Sequence, residues 1–123
     1  MLRVLKRLGV VLGLLAGLAV SLPAWAHAFP VKSSPQVGAS VASAPKQVRI
    51  WFDADLNALF SKISVVNSAG QVVSTGGAHV PAGHPRLLET AVKPLPAGQY
   101  WVKWSVVARD GHHTEGKFPF HVG

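Results

Sequence analysis

Four donor groups, at two places in the chain, could together bind a metal ion. His27 follows residues 24–26, Ala-Trp-Ala, which are typical of a signal-peptidase site. Cleavage there would free the α-amine of His27, which could chelate a metal together with its own ring Nδ1. Asp110 and His112, separated by one glycine, offer a carboxylate and a second imidazole. This donor set suits Cu(II), so the sequence predicts one Cu(II) per chain held by His27, Asp110 and His112.

The spacing of the second pair allows both side chains to reach the same ion. Residues two apart in an extended segment project to one side, and Gly111 permits a bend between Asp110 and His112. An ordinary polar hairpin turn is the alternative interpretation, because Asp-Gly is a common turn dipeptide. His113 is expected to point the other way and is treated as a spare ligand.

The remaining histidines are predicted to be incidental. His79 and His84 fall in a Gly/Pro-rich stretch, so solvated loop histidines are the favoured interpretation and weak metal binding the alternative. His121 is expected at the surface or rim of the last strand. Asp53 and Asp55 follow a strand and are expected to form a solvated pair.

The order and spacing of several short motifs resemble the CopC family of periplasmic copper-binding proteins. The resemblance covers the chain from residue 27 onward and includes, besides His27 and Asp-x-His, the motifs Ser-Pro at 34–35, Gly-Ala at 38–39, Ala-Pro at 44–45, Gly-Gln-Tyr at 98–100, the run at 106–112 and Gly-Lys-Phe-Pro-Phe-His-Val at 116–122. It implies a non-enzymatic protein that sequesters or delivers one Cu(II) in copper homeostasis or resistance. It also implies a separate inner-membrane partner of the CopD type.

Two features depart from what the resemblance implies. Similar family members often carry proline where this chain has His113, which leaves open which imidazole binds. Some relatives carry a second site for Cu(I) built from methionines, because thioether sulfur suits the softer ion. This chain has a single methionine, Met1, so a variant without that site is expected.

The amino-terminal residues predict export. Three basic residues precede an apolar run at 8–20, and with the site at 24–26 they form the three parts of a cleaved secretory signal over residues 1–26. An uncleaved signal anchor is the alternative, and it would leave no free amine on His27. We expect a periplasmic protein with one copper-binding β domain at 27–123.

Composition excludes several classes of function. The chain has 12 Lys and Arg against 5 Asp and Glu; removal of residues 1–26 lowers its formal charge from +7 to +4. With no basic run, nucleic-acid binding is not indicated. No cysteine is available for disulfides. No later apolar run approaches the roughly 18 residues that span a bilayer, so the processed protein is expected not to cross a membrane and to be a monomer.

Hydrophobic periodicity predicts an all-β fold. Val48, Ile50 and Phe52 alternate with polar residues, as do residues 100–106 and 118–122. Short alternating runs with turn residues between them are typical of an antiparallel β-sandwich or Greek-key β-barrel, immunoglobulin-like and cupredoxin-like in outline. We further expect a hairpin over 63–73, a long loop at 76–85 and a polar turn at 110–115.

Two other classes of function stay open at the level of sequence. An amino-terminal histidine with a second histidine also forms the copper centre of histidine-brace monooxygenases that oxidise polymers. A β-sandwich adhesion or scaffold module, in which the histidines are incidental, is the other. No catalytic arrangement such as Ser-His-Asp or a phosphate loop is evident, so an enzyme is not expected.

Overall fold

The structure, a computed structural model, describes residues 27–123, and the predicted signal at 1–26 lies outside this range. The described part contains eight β-strands and no helix: β1 (Pro30–Ser34), β2 (Ser40–Val41), β3 (Gln47–Phe52), β4 (Lys62–Asn67), β5 (Ser74–His79), β6 (Leu87–Val92), β7 (Gly98–Val107) and β8 (His113–Val122). Consequently, within residues 27–123 there is no helix capable of spanning a membrane. The predicted all-β class is confirmed.

The strands form two four-stranded sheets. One sheet has the order β1-β3-β6-β5 and the other the order β2-β8-β7-β4. All neighbouring strands are antiparallel except β2, which runs parallel to β8 over Ser40 and Val41. The predicted antiparallel β-sandwich is therefore confirmed, and its first and last long strands lie in different sheets.

The core lies between the sheets and follows the alternation seen in the sequence. Every second residue of β3, β7 and β8 faces inward, because successive side chains of a strand point to opposite sides. The buried inward residues of these strands are Val48, Ile50, Phe52, Tyr100, Val102, Val106, Phe118, Phe120 and Val122. Burying each large side chain contributes about 1.5–3 kcal/mol. This core fixes the two sheets against each other and with them the loops at their ends.

The predicted hairpin over residues 63–73 forms, but its returning arm is short. After β4 the chain turns at Asn67, whose side-chain oxygen accepts hydrogen bonds from the backbone N–H groups of Ala69 and Gln71. Residues 71–73 then lie antiparallel to β4: the N–H of Asn67 donates to the carbonyl of Gln71 at 3.0 Å and the N–H of Val73 to the carbonyl of Val65 at 2.8 Å. Val66 and Val72 form an isolated bridge between these two bonds. The chain then crosses to the other sheet, where β5 pairs with β6. Residues 71–73 are too few to form a full strand beside β4. The following residues pair instead with the free edge of β6, where they form β5.

Two further boundaries differ from the sequence prediction. The expected loop at 76–85 is strand as far as His79, since the glycines at 76 and 77 are accommodated where the β5 register shifts. The expected polar turn at 110–115 is shorter, because β8 begins at His113 and pairs with Val107 of β7. The turn between these two long strands therefore ends directly at His112.

Candidate metal centre

Hydrogen bonds on two sides hold the segment that begins with His27. Ala28 is fully buried, and its carbonyl oxygen accepts a hydrogen bond of 2.6 Å from Thr114 Oγ1 in β8. The N–H of Phe29 donates to Asp53 Oδ1 at 2.7 Å, while the N–H of Asp53 donates to the carbonyl of Phe29 at 3.0 Å. His27 is thereby placed where β8 begins and β3 ends.

The turn from β7 to β8 holds the second pair of donors. The N–H of Ala108 donates to the carbonyl of His112, and the N–H of Gly111 donates to the carbonyl of Ala108, both at 2.9 Å. Gly111 has a φ of 90°, a left-handed value that disfavours residues with a side chain. The Oδ1 atom of Asp110 accepts a 3.0 Å hydrogen bond from the N–H of His112. The Asp-Gly-His spacing therefore produces a tight turn that brings the side chains of its two ends together.

The three residues that the sequence selected lie next to one another. The rings of His27 and His112 contact edge to face, with centroids 5.1 Å apart and an interplanar angle of 77°. On the other side of the second ring, Asp110 Oδ2 is 3.0 Å from His112 Nδ1. Within residues 27–123, however, no three His, Cys, Asp or Glu side chains already converge on one point as they would around a metal. The three residues therefore form two contacting pairs, His27 with His112 and His112 with Asp110.

The electrostatics of the site favour an ionised Asp110. The pKa of Asp110 is lowered below its ordinary value of 3.8, chiefly because its carboxylate accepts a hydrogen bond from the backbone N–H of His112. Desolvation opposes this effect in part, whereas the side chain of His112 and, least of all, the charge of His27 add to it. Both carboxylate oxygens thus face His112. In this arrangement the carboxylate of Asp110 lies beside Nδ1 of the His112 ring.

Asp55, which is not part of the turn between β7 and β8, stabilises that turn through Arg109, a role that the sequence did not predict. Its carbonyl accepts a 3.0 Å hydrogen bond from the N–H of Arg109, and its carboxylate lies 3.3 Å from Arg109 Nη1 and 3.1 Å from Arg86 Nε. Asp53 is exposed as expected, but the two aspartates do not act as a pair, because each holds a different neighbouring segment. Because these groups are largely exposed, the ion pairs stabilise the turn only slightly.

The other histidines have different partners. His113 Nε2 lies 2.7 Å from Ser105 Oγ of β7, whereas the ring of His112 contacts His27. His79 Nε2 lies 2.9 Å from Glu89 Oε1 of β6, and its side chain is 62% exposed. The prediction of a solvated residue is thus confirmed for His79, but it lies at the end of β5 and not in a loop. His84 is exposed in the turn before β6. The structure thus places His112, and not His113, beside His27.

The fold agrees with what comparison with known proteins finds. The model of the CopC domain matches residues 30–123. The chain belongs to the CopC family. This match covers all eight strands and includes Asp110 and His112, and it begins three residues after His27.

Individual CopC relatives support the same assignment. Copper resistance protein C of Pseudomonas syringae pv. tomato is 34% identical over 113 residues, which cover 87% of this chain and 89% of that protein. The crystal structure of CopC from Methylosinus trichosporium OB3b is similar with a TM-score of 0.74 at 38% identity, covering 78% of this chain and 93% of the other. Copper transport protein CutJ of Bacillus subtilis (strain 168) is 36% identical over 100 residues. Those residues cover 80% of this chain but 18% of CutJ, so this chain spans only a small part of that relative.

Proposed function

We propose that the chain is a periplasmic Cu(II)-binding protein that sequesters or delivers one copper ion in copper homeostasis or resistance. The observation that supports this most strongly is the contact between the rings of His27 and His112, the second of which Asp110 orients at 3.0 Å. Two of the relatives are named for copper resistance and copper transport. The role is non-enzymatic, with the ion itself as the cargo.

Removal of residues 1–26 completes the proposed site. In the 123-residue chain the backbone nitrogen of His27 forms a peptide bond with Ala26, and such a nitrogen is a poor ligand. After cleavage the amine and Nδ1 of His27 supply two nitrogens, and Nε2 of His112 a third. Asp110 either orients His112, as in this structure, or rotates to give the ion an oxygen. Nitrogen donors with one carboxylate suit tetragonal Cu(II).

The anchored segment explains how a chain terminus can hold a ligand in place. Chain ends are usually mobile unless they are tied to the fold. Here the bonds of Ala28 to Thr114 and of Phe29 to Asp53 immobilise the backbone beside His27. Less conformational entropy is then lost on binding the ion. We propose delivery to, or acceptance from, a separate inner-membrane partner of the CopD type.

The experiment that tests this function is the intact mass of the exported protein, measured under native conditions with and without Cu(II). We expect the mass of residues 27–123 and the addition of one copper ion. Zn(II) at the same concentration serves as the control and should bind more weakly, following the usual affinity order. A mass that retains residues 1–26, or a protein that adds no copper, would contradict the proposal.

A further inference from the structure

The outer face of the second sheet carries a group of lysines that copper binding does not use. Lys103 of β7 pairs directly with Lys117 of β8, and Lys62 of β4 pairs with Ser105 in the adjoining row. All three lysines are exposed. Like charges directly opposite each other across a sheet destabilise it. The pair at 103 and 117 is therefore retained at a cost to stability, which a negatively charged partner would offset.

These lysines have little internal compensation. Over residues 27–123, none of Lys62, Lys103 and Lys117 forms an ion pair with a carboxylate. Lys117 Nζ lies 5.2 Å from the ring centroid of Trp101, which orients its ammonium group but does not neutralise it. Glu115 is the acidic residue of this face, and His113 is the titratable group nearest to it, at 3.9 Å. The face keeps a positive charge.

An exposed apolar tip adjoins the lysines. A groove of about 900 Å³ is lined by all three lysines together with Leu59, Ile63 and Trp104. Leu59 is 85% exposed and its neighbour Phe60 is 61% exposed. Two consecutive large apolar side chains that project into solvent lose the free energy of burial, about 25 cal/mol for each Å² left in water. They would recover it in an apolar medium that surrounds them.

We propose that this face, formed by Leu59, Phe60, Lys62, Lys103 and Lys117, docks on the surface of an anionic lipid bilayer. Apolar side chains beside lysines are the pattern of interfacial binding, in which the apolar groups enter the acyl boundary and the ammonium groups meet phosphates. A protein partner would need a pocket shaped for the projecting Leu59, whereas fluid lipid closes around it. The bilayer is therefore the partner that satisfies both halves of the face.

The test measures sedimentation of the protein with large vesicles of phosphatidylglycerol and phosphatidylcholine, at low salt. The chain should start at His27, because residues 27–123 hold both sheets and their core. The apolar run at 8–20 would also bind bilayers by itself. We expect binding to the anionic vesicles, little binding to pure phosphatidylcholine, and release in 0.5 M salt. Binding should not depend on Cu(II), so the result is independent of the proposed copper function.

Two variants and one control make the test specific. Lys103→Gln with Lys117→Gln should lower partitioning about 30-fold, since each lysine contributes about fivefold near an anionic surface. Leu59→Ser with Phe60→Ser should lower it at least about tenfold. The matched control is Lys46→Gln with Lys93→Gln, which removes two exposed lysines next to the ends of β3 and β6 in the other sheet. This change should alter partitioning less than about threefold.

Three results would overturn the proposal. The first is the absence of binding to anionic vesicles, and the second is an equal loss in the two lysine double variants. The third result uses polyglutamate as an acidic polypeptide. If the protein binds polyglutamate but not vesicles, and Lys103→Gln with Lys117→Gln abolishes this binding, the partner of the face is an acidic protein. Thermal unfolding of each variant identifies any loss that arises from misfolding.

Discussion

At the scale of single residues, His112 and His79 have similar surroundings but differ in one contact. His112 lies 3.0 Å from a carboxylate oxygen of Asp110 and touches His27, whereas His79 lies 2.9 Å from a carboxylate oxygen of Glu89 in another part of the fold. Each therefore has a carboxylate to orient its ring. Only His112 has a second potential ligand against it.

The first prediction compares these two histidines. His112→Ala should lower Cu(II) affinity by more than about 100-fold, because even a residue that merely orients a ligand contributes about 10–100-fold. His79→Ala and His84→Ala should leave the affinity within about threefold. Competition with a Cu(II) chelator measures all three variants of the processed protein. Equal losses in the three would place the site elsewhere.

The second prediction concerns the charge of Asp110 in the copper-free protein. Asp110→Asn keeps the oxygen that accepts from the N–H of His112 but removes the negative charge. Since the folded-state pKa is lowered below 3.8, the charged form stabilises the fold above about pH 4, and this contribution disappears as the pH falls through the lowered value. Urea unfolding should show the variant less stable than the parent at pH 6 and equal to it near pH 2. A deficit that persists unchanged at pH 2 would mean that packing, not charge, is responsible.

The candidate ligands could be found from the sequence, but the residues that position them could not. Residue type and spacing, together with the family resemblance, select His27, Asp110 and His112, because metal chemistry restricts donors to a few side chains. Thr114 and Asp53 act through single hydrogen bonds to the backbone of the amino-terminal segment. Such bonds join residues far apart in the chain and require no particular motif, so only the folded structure reveals them.

At the scale of elements, β8 both continues the turn that carries Asp110 and His112 and holds the segment that begins with His27. The turn ends at His112, β8 begins at His113, and Thr114 donates to the carbonyl of Ala28. One strand thus sets the distance between the two ends of the proposed site. Weakening its bond to the segment should loosen the site without removing a ligand.

The third prediction tests this role of β8. Thr114→Val retains the β-branched shape but removes the hydroxyl, so the free energy of unfolding should fall by about 1 kcal/mol and Cu(II) affinity by about fivefold. Thr75→Val, an exposed threonine on β5, is the matched control and should change stability by less than about 0.5 kcal/mol. Urea unfolding and chelator competition report the two effects. An affinity equal to that of the parent protein would show that the anchored segment is not required.

Strand existence was easier to predict than strand partners. The alternation at residues 48–52, 100–106 and 118–122 marks inward positions because the strand period is two, and the structure buries most of them. The sequence cannot show that the chain leaves β4 for the other sheet, since residues 71–73 satisfy a local hairpin pattern equally well. Residues 74–79 pair with β6 because its edge lies next to them in the folded protein, and this proximity is not visible in the sequence.

At the scale of the whole molecule, composition indicates which oxidation state of copper the proposed site would favour. The chain has no cysteine, and its only methionine is Met1, within the predicted signal. Thioether and thiolate sulfur are the ligands that favour Cu(I). The processed protein then offers only nitrogen and oxygen donors, whatever the arrangement of its loops.

The fourth prediction follows from that composition. Reduction of the copper-loaded protein with ascorbate should release the metal to a competing Cu(I) chelator. The same chelator, added without reductant in the presence of an excess of Cu(II) competitor, controls for simple loss of Cu(II). Stoichiometric retention of Cu(I) by the processed protein would contradict the donor set proposed for His27, Asp110 and His112.

The central claim, that the amino terminus itself binds the ion, is tested most directly by adding one glycine before His27 in the processed protein. The extra residue turns the amine into a peptide nitrogen, and neither sheet contains the altered position. The fold should therefore persist, as circular dichroism can verify. Cu(II) affinity should fall by at least about 100-fold, more than for loss of a supporting residue, and the proton release that accompanies binding should decrease.

The Cu(II) absorption and paramagnetic resonance spectra of this extended variant decide the question. The account predicts that they differ from those of the processed protein, because one nitrogen of the chelate is replaced by a weaker donor. The affinity of the processed protein should also decline with falling pH where its amine gains a proton; free α-amines titrate near about 7.7–8.0. If the extended and processed proteins have the same spectrum and the same affinity, the chelate at His27 is not the copper site.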